Sequence, residues 1–392
     1  MTHLRILSLS TLYPNANAPN FGVFVERQMQ AVVARGDVDL VMINPIGMPP
    51  FPLSLHPRYR ALRALPQVEQ RAGVTVYRPR FLLLPGIGGR FNAAAEARAV
   101  LPLASELHAQ QPFDLVDAQY FYPDGPAAVA VAKALDLPNS IKARGADIHH
   151  WGSAPGTAEQ VRRAALEASG LLAVSSGLAD DIADLGVPRG KITIHRTGLD
   201  RSVFYPRDKN QSRDALDLPH GVPVLACVGA LIARKGQRYA VETMPLLPDA
   251  ILVLAGSGPD EAELKKLATS LGVIDRVRFL GAVPNGDLPV VLSAADVFVL
   301  PTASEGLANA WVEALACGTP VVTTPIPGAQ ELLTDPAWGA LAARDKLAIA
   351  IEVSKILEHP PARAVVQKGA AAFSWAANAE ALVDYWSRLV GS

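Results

Sequence analysis

The chain has 392 residues, half of them hydrophobic and 19% charged, which is long enough for two or three domains and too apolar for a disordered, collagen-like or disulfide-scaffold protein. Lys and Arg number 36 against 37 Asp and Glu, a formal net charge of −1, so the basic excess that general nucleic-acid binding requires is missing. Cys227 and Cys317 lie in apolar contexts without CxxC or metal-ligand spacing and read as reduced core thiols, which suits the cytoplasm.

At the N-terminus the apolar run Ile6–Leu9 is too short for a signal peptide and reads as a first buried strand. No stretch approaches the roughly 18 to 20 apolar residues of a membrane span, so membrane contact is expected to be peripheral. Strand-like runs then follow at Arg5–Leu9, Asp39–Ile43, Thr75–Arg78, Leu115–Ala118, Asn139–Lys142, Leu171–Val174 and Ile192–His195. Helical stretches such as Phe24–Arg35 and Pro126–Leu135 separate several of them. This alternation predicts parallel strands joined by crossover helices. Tyr205–Pro223, with Pro206, Pro219 and Pro223, reads as a linker. A second series runs through Val224–Val228, Ile251–Ala255, Val277–Leu280, Val297–Leu300 and Pro320–Thr323. The expected architecture is therefore α/β: two doubly wound, Rossmann-like domains, 1–205 and 206–370, facing across a cleft. Ligands are expected beyond the carboxyl ends of the strands.

Two strand ends carry the chemistry. After Val297–Leu300 comes Pro301-Thr302-Ala303-Ser304-Glu305-Gly306-Leu307-Ala308-Asn309, and a helix is predicted from near Leu307 through Ala316. A loop opening a helix makes an anion- and hydroxyl-binding edge. Glu305 stands in the loop, and Glu313, eight residues on, stands among apolar helix residues where a carboxylate needs a partner. The ordinary role for Glu305 would be a solvated first-turn acid. After Val224–Val228 comes Gly229, then Arg234-Lys235-Gly236, which brings two cations to a strand end where a phosphate-bearing ligand fits.

Gly229…Arg234-Lys235-Gly236, Ala255-Gly256-Ser257-Gly258-Pro259, Phe279-Leu280-Gly281, Ala294 through Pro301, Glu305-x7-Glu313 and Gly318-Thr319-Pro320-Val321-Val322 occur in this order. Together they resemble the C-terminal domain of family 4 glycosyltransferases, retaining enzymes of the two-Rossmann-domain type called GT-B. In the first half, the loop Pro14–Gly22, the segment Ile141–Asp147, Val174-Ser175-Ser176 and Thr197–Asp200 resemble further family segments. Arg144 stands where the family often has His, and Thr197 where Asn is usual. Two other departures are Ala230, in place of an Arg after Gly229, and Pro327-Gly328-Ala329-Gln330-Glu331, which lacks the first glycine of a Gly-Gly-x-x-Glu segment.

The resemblance implies transfer of a sugar, with retention, from a nucleoside-diphosphate-sugar (a UDP- or GDP-sugar) to an acceptor hydroxyl, with no cofactor and no metal. Lys235 and Arg234 would stabilise the leaving diphosphate, Arg234 replacing the guanidinium missing at Ala230. Glu305 would hold the donor-sugar hydroxyls, and the helix start at Gly306, Leu307, Ala308 and Asn309 would face the diphosphate. Glu313 would accept from the ribose hydroxyls, and the backbone near Val283 would meet the base. Gly22 and Arg144 would approach the donor from the first domain. The final segment, 371–392, would be a helix crossing back to that domain, with closure about the linker.

Two other readings remain at this stage: a sugar-nucleotide epimerase of the same build, and a catalytically silent carbohydrate-binding relative. A dinucleotide-binding loop at Ala255–Gly258 is disfavoured, because Glu261 stands where the third glycine belongs. Residues 55–100 hold eight arginines (Arg58, Arg60, Arg63, Arg71, Arg78, Arg80, Arg90 and Arg98) against Glu69 and Glu96, a formal charge of +6. With the apolar run Phe81–Ile87 among them, they point to an anionic membrane surface and a lipid-linked or cell-surface glycan acceptor at the inner face of the membrane.

Overall fold

A computed structural model describes residues 3–84, 86 and 89–391. Pro85, Ile87 and Gly88, which the sequence reading placed in and just after an apolar run, lie outside the described residues. The chain divides into two compact units, one reaching to Gly198 and resuming at Trp375, the other spanning Leu199–Ser374.

The strands of the first unit are β1 (Leu4–Leu9), β2 (Val38–Ile43), β3 (Ile46–Met48), β4 (Val68–Arg71), β5 (Val74–Tyr77), β6 (Arg80–Leu82), β7 (Leu115–Ala118), β8 (Asn139–Ala143), β9 (Gly170–Ala173) and β10 (Ile192–Ile194). Eight form one sheet in the order β10-β9-β8-β7-β1-β2-β5-β4, while β3 and β6 pair separately. All neighbours in the large sheet are parallel except β4 and β5. These two join through Ala72-Gly73, both at positive φ, the backbone of a two-residue hairpin turn. Helix Val23–Val33 buries Val25, Met29 and Val32 against β1 and β2 in one cluster with Leu382, Val383, Tyr385 and Trp386 of the final helix, Trp375–Val390. Each fully buried side chain of this kind contributes about 1.5 to 3 kcal/mol. The final helix is also tied by hydrogen bonds: Asn378 Nδ2 donates to the Arg196 carbonyl, and the Trp386 indole donates to Asp117 and Ser140 at 3.3 Å.

The second unit holds β11 (Val224–Val228), β12 (Ile251–Ala255), β13 (Val277–Gly281), β14 (Val297–Leu300), β15 (Val321–Thr323) and β16 (Gly339–Leu341), in the order β13-β12-β11-β14-β15-β16. All pairs are parallel. Strand order reverses between β11 and β14, and between β1 and β7 in the first unit. At such reversals the loops leaving adjacent strands diverge and open a crevice. Cys227 and Cys317 are buried free thiols, and burial pushes both up to about 12.

The charge count over residues 55–100 overstates the surface charge. Arg78 is fully buried and pairs with Glu69, Arg71 pairs with Glu26 and Glu69, and Arg80 donates to the Leu65 carbonyl. Arg58, Arg60, Arg63, Arg90 and Arg98 remain exposed. Of the apolar run, Phe81 is buried in β6 and Leu82 is exposed.

Candidate functional site: the strand ends of the second unit

Gly229 leaves β11, and the chain turns through a short 3₁₀ segment, Ala233–Lys235, into helix Gln237–Thr243. The adjacent β14 runs out into Pro301–Glu305. Backbone and side-chain bonds stitch the two loops together: Ala303 N–H and the Thr302 hydroxyl both donate to the Arg234 carbonyl, at 2.8 and 3.1 Å. Arg344, just after β16, braces them from behind, donating to the carbonyls of Pro301, Ala233 and Arg234 at 2.9, 2.7 and 3.1 Å. Gln237 holds the Ala230 carbonyl at 2.9 Å.

Within this frame three charges meet. Lys235 Nζ lies 2.6 Å and Arg234 Nη1 2.9 Å from the same Glu305 oxygen, Oε1, with the Thr302 hydroxyl oxygen 3.3 Å away. The Glu305 side chain is only 12% exposed and Lys235 17%, so the pairing is poorly screened and stronger than a surface ion pair. Two cations share one anion, leaving a formal charge of +1. Arg234 also donates to the Ser304 carbonyl. The Lys235 stem passes over Gly229, whose missing Cβ would sit 3.8 Å from Cδ and Cε.

Helix Asn309–Ala316 starts two residues later than the sequence predicts, because Gly306 through Ala308 stay in the loop. Its N-cap is Ala308, which offers no side-chain acceptor to the first-turn amides. The loop is pinned by Gly328: a Cβ there would lie 1.9 Å from the Gly306 carbonyl oxygen, so no other residue fits. Gly328 is the glycine that the Pro327–Glu331 segment keeps. Glu313 lies four residues into the helix, half-buried among Trp311, Val312, Ala314 and Leu315, and its Oε1 accepts from Asn285 Nδ2 at 3.4 Å. Asn285 follows Val283 in the loop after β13, so the segment expected to meet a base adjoins the acid expected to hold a ribose.

Gly256 and Gly258 do not line a dinucleotide loop. Gly256 N–H bonds the Gly281 carbonyl at 2.7 Å, and the Ser257 carbonyl accepts from Leu231 N–H at 3.0 Å, so this turn supports the Gly229 loop.

In the first unit, Gly22 caps helix Val23–Val33 at φ 72°, and a Cβ there would strike the Leu12–Tyr13 backbone at 2.4 to 2.7 Å. Packing within its own loop is enough to require glycine. Arg144 follows β8, its Nε donating to the Gln119 carbonyl at 2.6 Å and its Nη2 to Gln119 Oε1 at 2.5 Å, with Cζ 4.8 Å from the Phe24 ring centre. Burial pulls the guanidinium down to about 10, so it stays a cation at neutral pH. Gln28 lies 3.5 Å from Arg144 Nη2 and also accepts from the buried Lys142 amine at 3.0 Å.

The structure therefore brings Gly229, Arg234, Lys235 and Glu305 into one cluster, joins the Val283 loop to Glu313, and connects the two through Gly306–Asn309. Gly22 and Arg144 both belong to the first unit. Thr302, Asn285, Arg344, Gln28 and Gln119 escaped the sequence reading; their only signal is a polar residue in or just beyond a strand-end loop, or on the helix that follows one.

The family described as Glycosyl transferases group 1 matches residues 208–373, and the Glycosyl transferase 4-like domain matches residues 21–198. The TuaC protein of Bacillus subtilis (strain 168), assigned by name to teichuronic acid biosynthesis as a glycosyltransferase, is 30% identical over 338 residues, covering 84% of this chain and 83% of that one. Among solved structures, sucrose-phosphate synthase (tll1590) from Thermosynechococcus elongatus superposes with a TM-score of 0.81 at 22% identity, covering 99% of both chains. Anabaena Alr3699/HepE in complex with UDP-glucose gives 0.75 at 18%, covering 98% of this chain and all of that one. At these identities the structural likenesses establish the two-domain fold.

Proposed function

Because this chain belongs to the family 4 glycosyltransferases and acts in glycan biosynthesis, we propose that it moves a sugar from a nucleoside-diphosphate-sugar to a hydroxyl of a lipid-linked or growing cell-surface glycan, with retention at the anomeric carbon. The observation that carries the proposal is the meeting of Lys235 and Arg234 on Glu305 at the β11/β14 reversal.

When the sugar–phosphate bond breaks, negative charge builds on the departing diphosphate. Cations already fixed in a half-buried site stabilise that charge without reorganising, which is the largest single effect available to such a site. Lys235 and Arg234 fill this role, supplying the positive charge that a divalent metal would otherwise bring. The uncapped first-turn amides of helix Asn309–Ala316 would add to this stabilisation. Glu305, anchored through Oε1, presents Oε2 to the sugar hydroxyls and acts as an orienter, while a donor phosphate oxygen takes the acceptor proton. Glu313 and the Val283 loop hold the ribose and base. Arg144 and Gly22 remain proposed donor contacts from the first unit. The UDP-glucose bound to HepE and the teichuronic acid in the name of TuaC support this donor and acceptor class.

A thermal-shift screen with UDP, GDP, ADP and their sugars tests the donor assignment. A ligand bound only by the folded state raises the melting temperature. One nucleotide series should do so in the wild type and do so less at the same concentration in Glu313→Ala; no shift with any of them contradicts the assignment.

A further inference from the structure

The 3₁₀ turn Leu53–Leu55 is inverted in polarity. Ser54 is buried, while Leu53 and Leu55 are 54% and 49% exposed and the preceding Phe51 is 79% exposed. Helix Pro57–Arg63 follows directly and buries none of its residues; Arg58, Arg60 and Arg63 all face water. No acid occurs from Leu40 through Val68. The element is nevertheless held in a fixed frame. Leu65 is buried, Arg80 bonds the Leu65 carbonyl at 2.7 Å, and Asn17, in the loop after β1, donates to the Ala61 carbonyl at 2.9 Å.

A fixed element that turns a serine inward and three large apolar side chains outward, beside three arginines that have no ion pair among the described residues, is poorly suited to water. Protruding apolar groups flanked by cations match the boundary between headgroups and acyl chains of an anionic bilayer, where the apolar groups enter and the guanidinium heads stay among the phosphates. We infer that Phe51, Leu53 and Leu55, with Arg58, Arg60 and Arg63, form a surface that docks the first unit on an anionic phospholipid membrane. This deepens, and rests on, the reading of a lipid-linked acceptor: the Asn17–Ala61 bond ties the docked helix to the loop that ends in Gly22, so a membrane-borne acceptor is delivered beside a strand end. Arg71, Arg78 and Arg80 are engaged internally and take no part in this surface.

The test is co-sedimentation of the full chain with vesicles of phosphatidylcholine alone and of phosphatidylcholine mixed with phosphatidylglycerol, with neither donor nor acceptor present. The wild type should prefer the anionic vesicles. Each basic residue at such a surface contributes about 1 kcal/mol, roughly fivefold, so R58S/R60S/R63S should bind roughly a hundredfold more weakly. F51S/L53S/L55S should lose binding too, and Arg98→Ser, exposed on helix Asn92–Gln110, should not. Melting curves establish that each variant is folded. Equal binding to both vesicle types, binding to neither, or unchanged binding of the arginine variant overturns the inference. So does a dimer in sedimentation velocity that F51S/L53S/L55S abolishes while no vesicle binds, which would assign the patch to a second copy of the chain. Transfer in detergent to a lipid-linked against a water-soluble acceptor tests the acceptor reading separately, because detergent removes the need for docking.

Discussion

Glu305 Oε1 lies 2.6 Å from Lys235 Nζ and 2.9 Å from Arg234 Nη1, so a single carboxylate oxygen is the counterion of both cations. On the proposed donor assignment, a diphosphate arriving at this point would compete with Glu305 for the same two groups. Its binding would shift the cations from one anion to another.

Lys235→Ala should lower the transfer rate by about 2.7 to 4 kcal/mol, roughly a hundred- to thousandfold, as for other lost preorganised contacts to a developing charge. Glu305→Gln should lower it comparably yet leave nucleoside-diphosphate affinity unchanged or higher, because the competing anion is gone. Calorimetric titration with the nucleotide, beside a rate assay, checks both. A folded Lys235→Ala protein with near-normal turnover removes Lys235 from the mechanism.

Glu313→Ala should act mainly on nucleotide affinity. A hydrogen bond to a charged group contributes about 1.5 to 3 kcal/mol, so Kd should rise roughly ten- to hundredfold with the rate at saturation little changed. Asn285→Ala should give a smaller loss in the same direction, since its 3.4 Å bond orients the carboxylate. Unchanged donor affinity in Glu313→Ala would make that acid structural.

Arg344 is expected to matter without touching the donor. Its guanidinium holds three loop carbonyls and lies 4.8 Å from the Tyr239 ring centre. Arg344→Lys cannot reproduce that planar fork. The variant should melt earlier and show a lower rate at saturating donor, with the pH profile of the reaction unmoved. Wild-type melting and rate would show that the brace is dispensable.

A second carboxyl pair predicts how stability responds to pH. Glu96 and Asp124 are fully buried in the first unit; desolvation raises both, and mutual repulsion adds to the rise for Glu96. Asp124 Oδ2 accepts from Thr11 N–H at 2.8 Å, but no donor faces the Glu96 oxygens or Asp124 Oδ1 among the described residues, so a shared proton is needed between them. The folded state therefore holds a proton that the unfolded chain releases. Stability is fully present at acid pH and falls as pH rises from the ordinary carboxylate range toward neutrality. Glu96→Gln, which carries its own donor, should be more stable than wild type near about pH 8 and gain little near about pH 5. Parallel pH dependence of the two melting curves would contradict the shared proton.

Much of the fold was legible because buried parallel strands are short apolar runs and the crossover helices are Ala-rich. β4 was not: Val-Glu-Gln-Arg is a solvated edge with no apolar alternation, and only the Ala72-Gly73 turn marks it. β16 is three residues beginning with glycine. At the site, Glu305, Arg234 and Lys235 could be read because charges at strand ends have few structural uses. Thr302, Asn285 and Arg344 could not, since neutral polar residues and isolated arginines in loops are common and their role depends on which carbonyl or carboxylate the fold brings near. The basic segment misled for a related reason. A charge count cannot see that Arg71 and Arg78 are spent on Glu26 and Glu69.

Sugar transfer is tested most directly by supplying purified protein with a panel of UDP- and GDP-sugars and an extracted lipid-linked glycan fraction, and following products by mass spectrometry in the wild type and in Lys235→Ala. One sugar should be added to the acceptor, only when both donor and acceptor are present and at least about a hundredfold more slowly by the variant. Epimerised sugar released without acceptor, or equal product from both proteins, would contradict it.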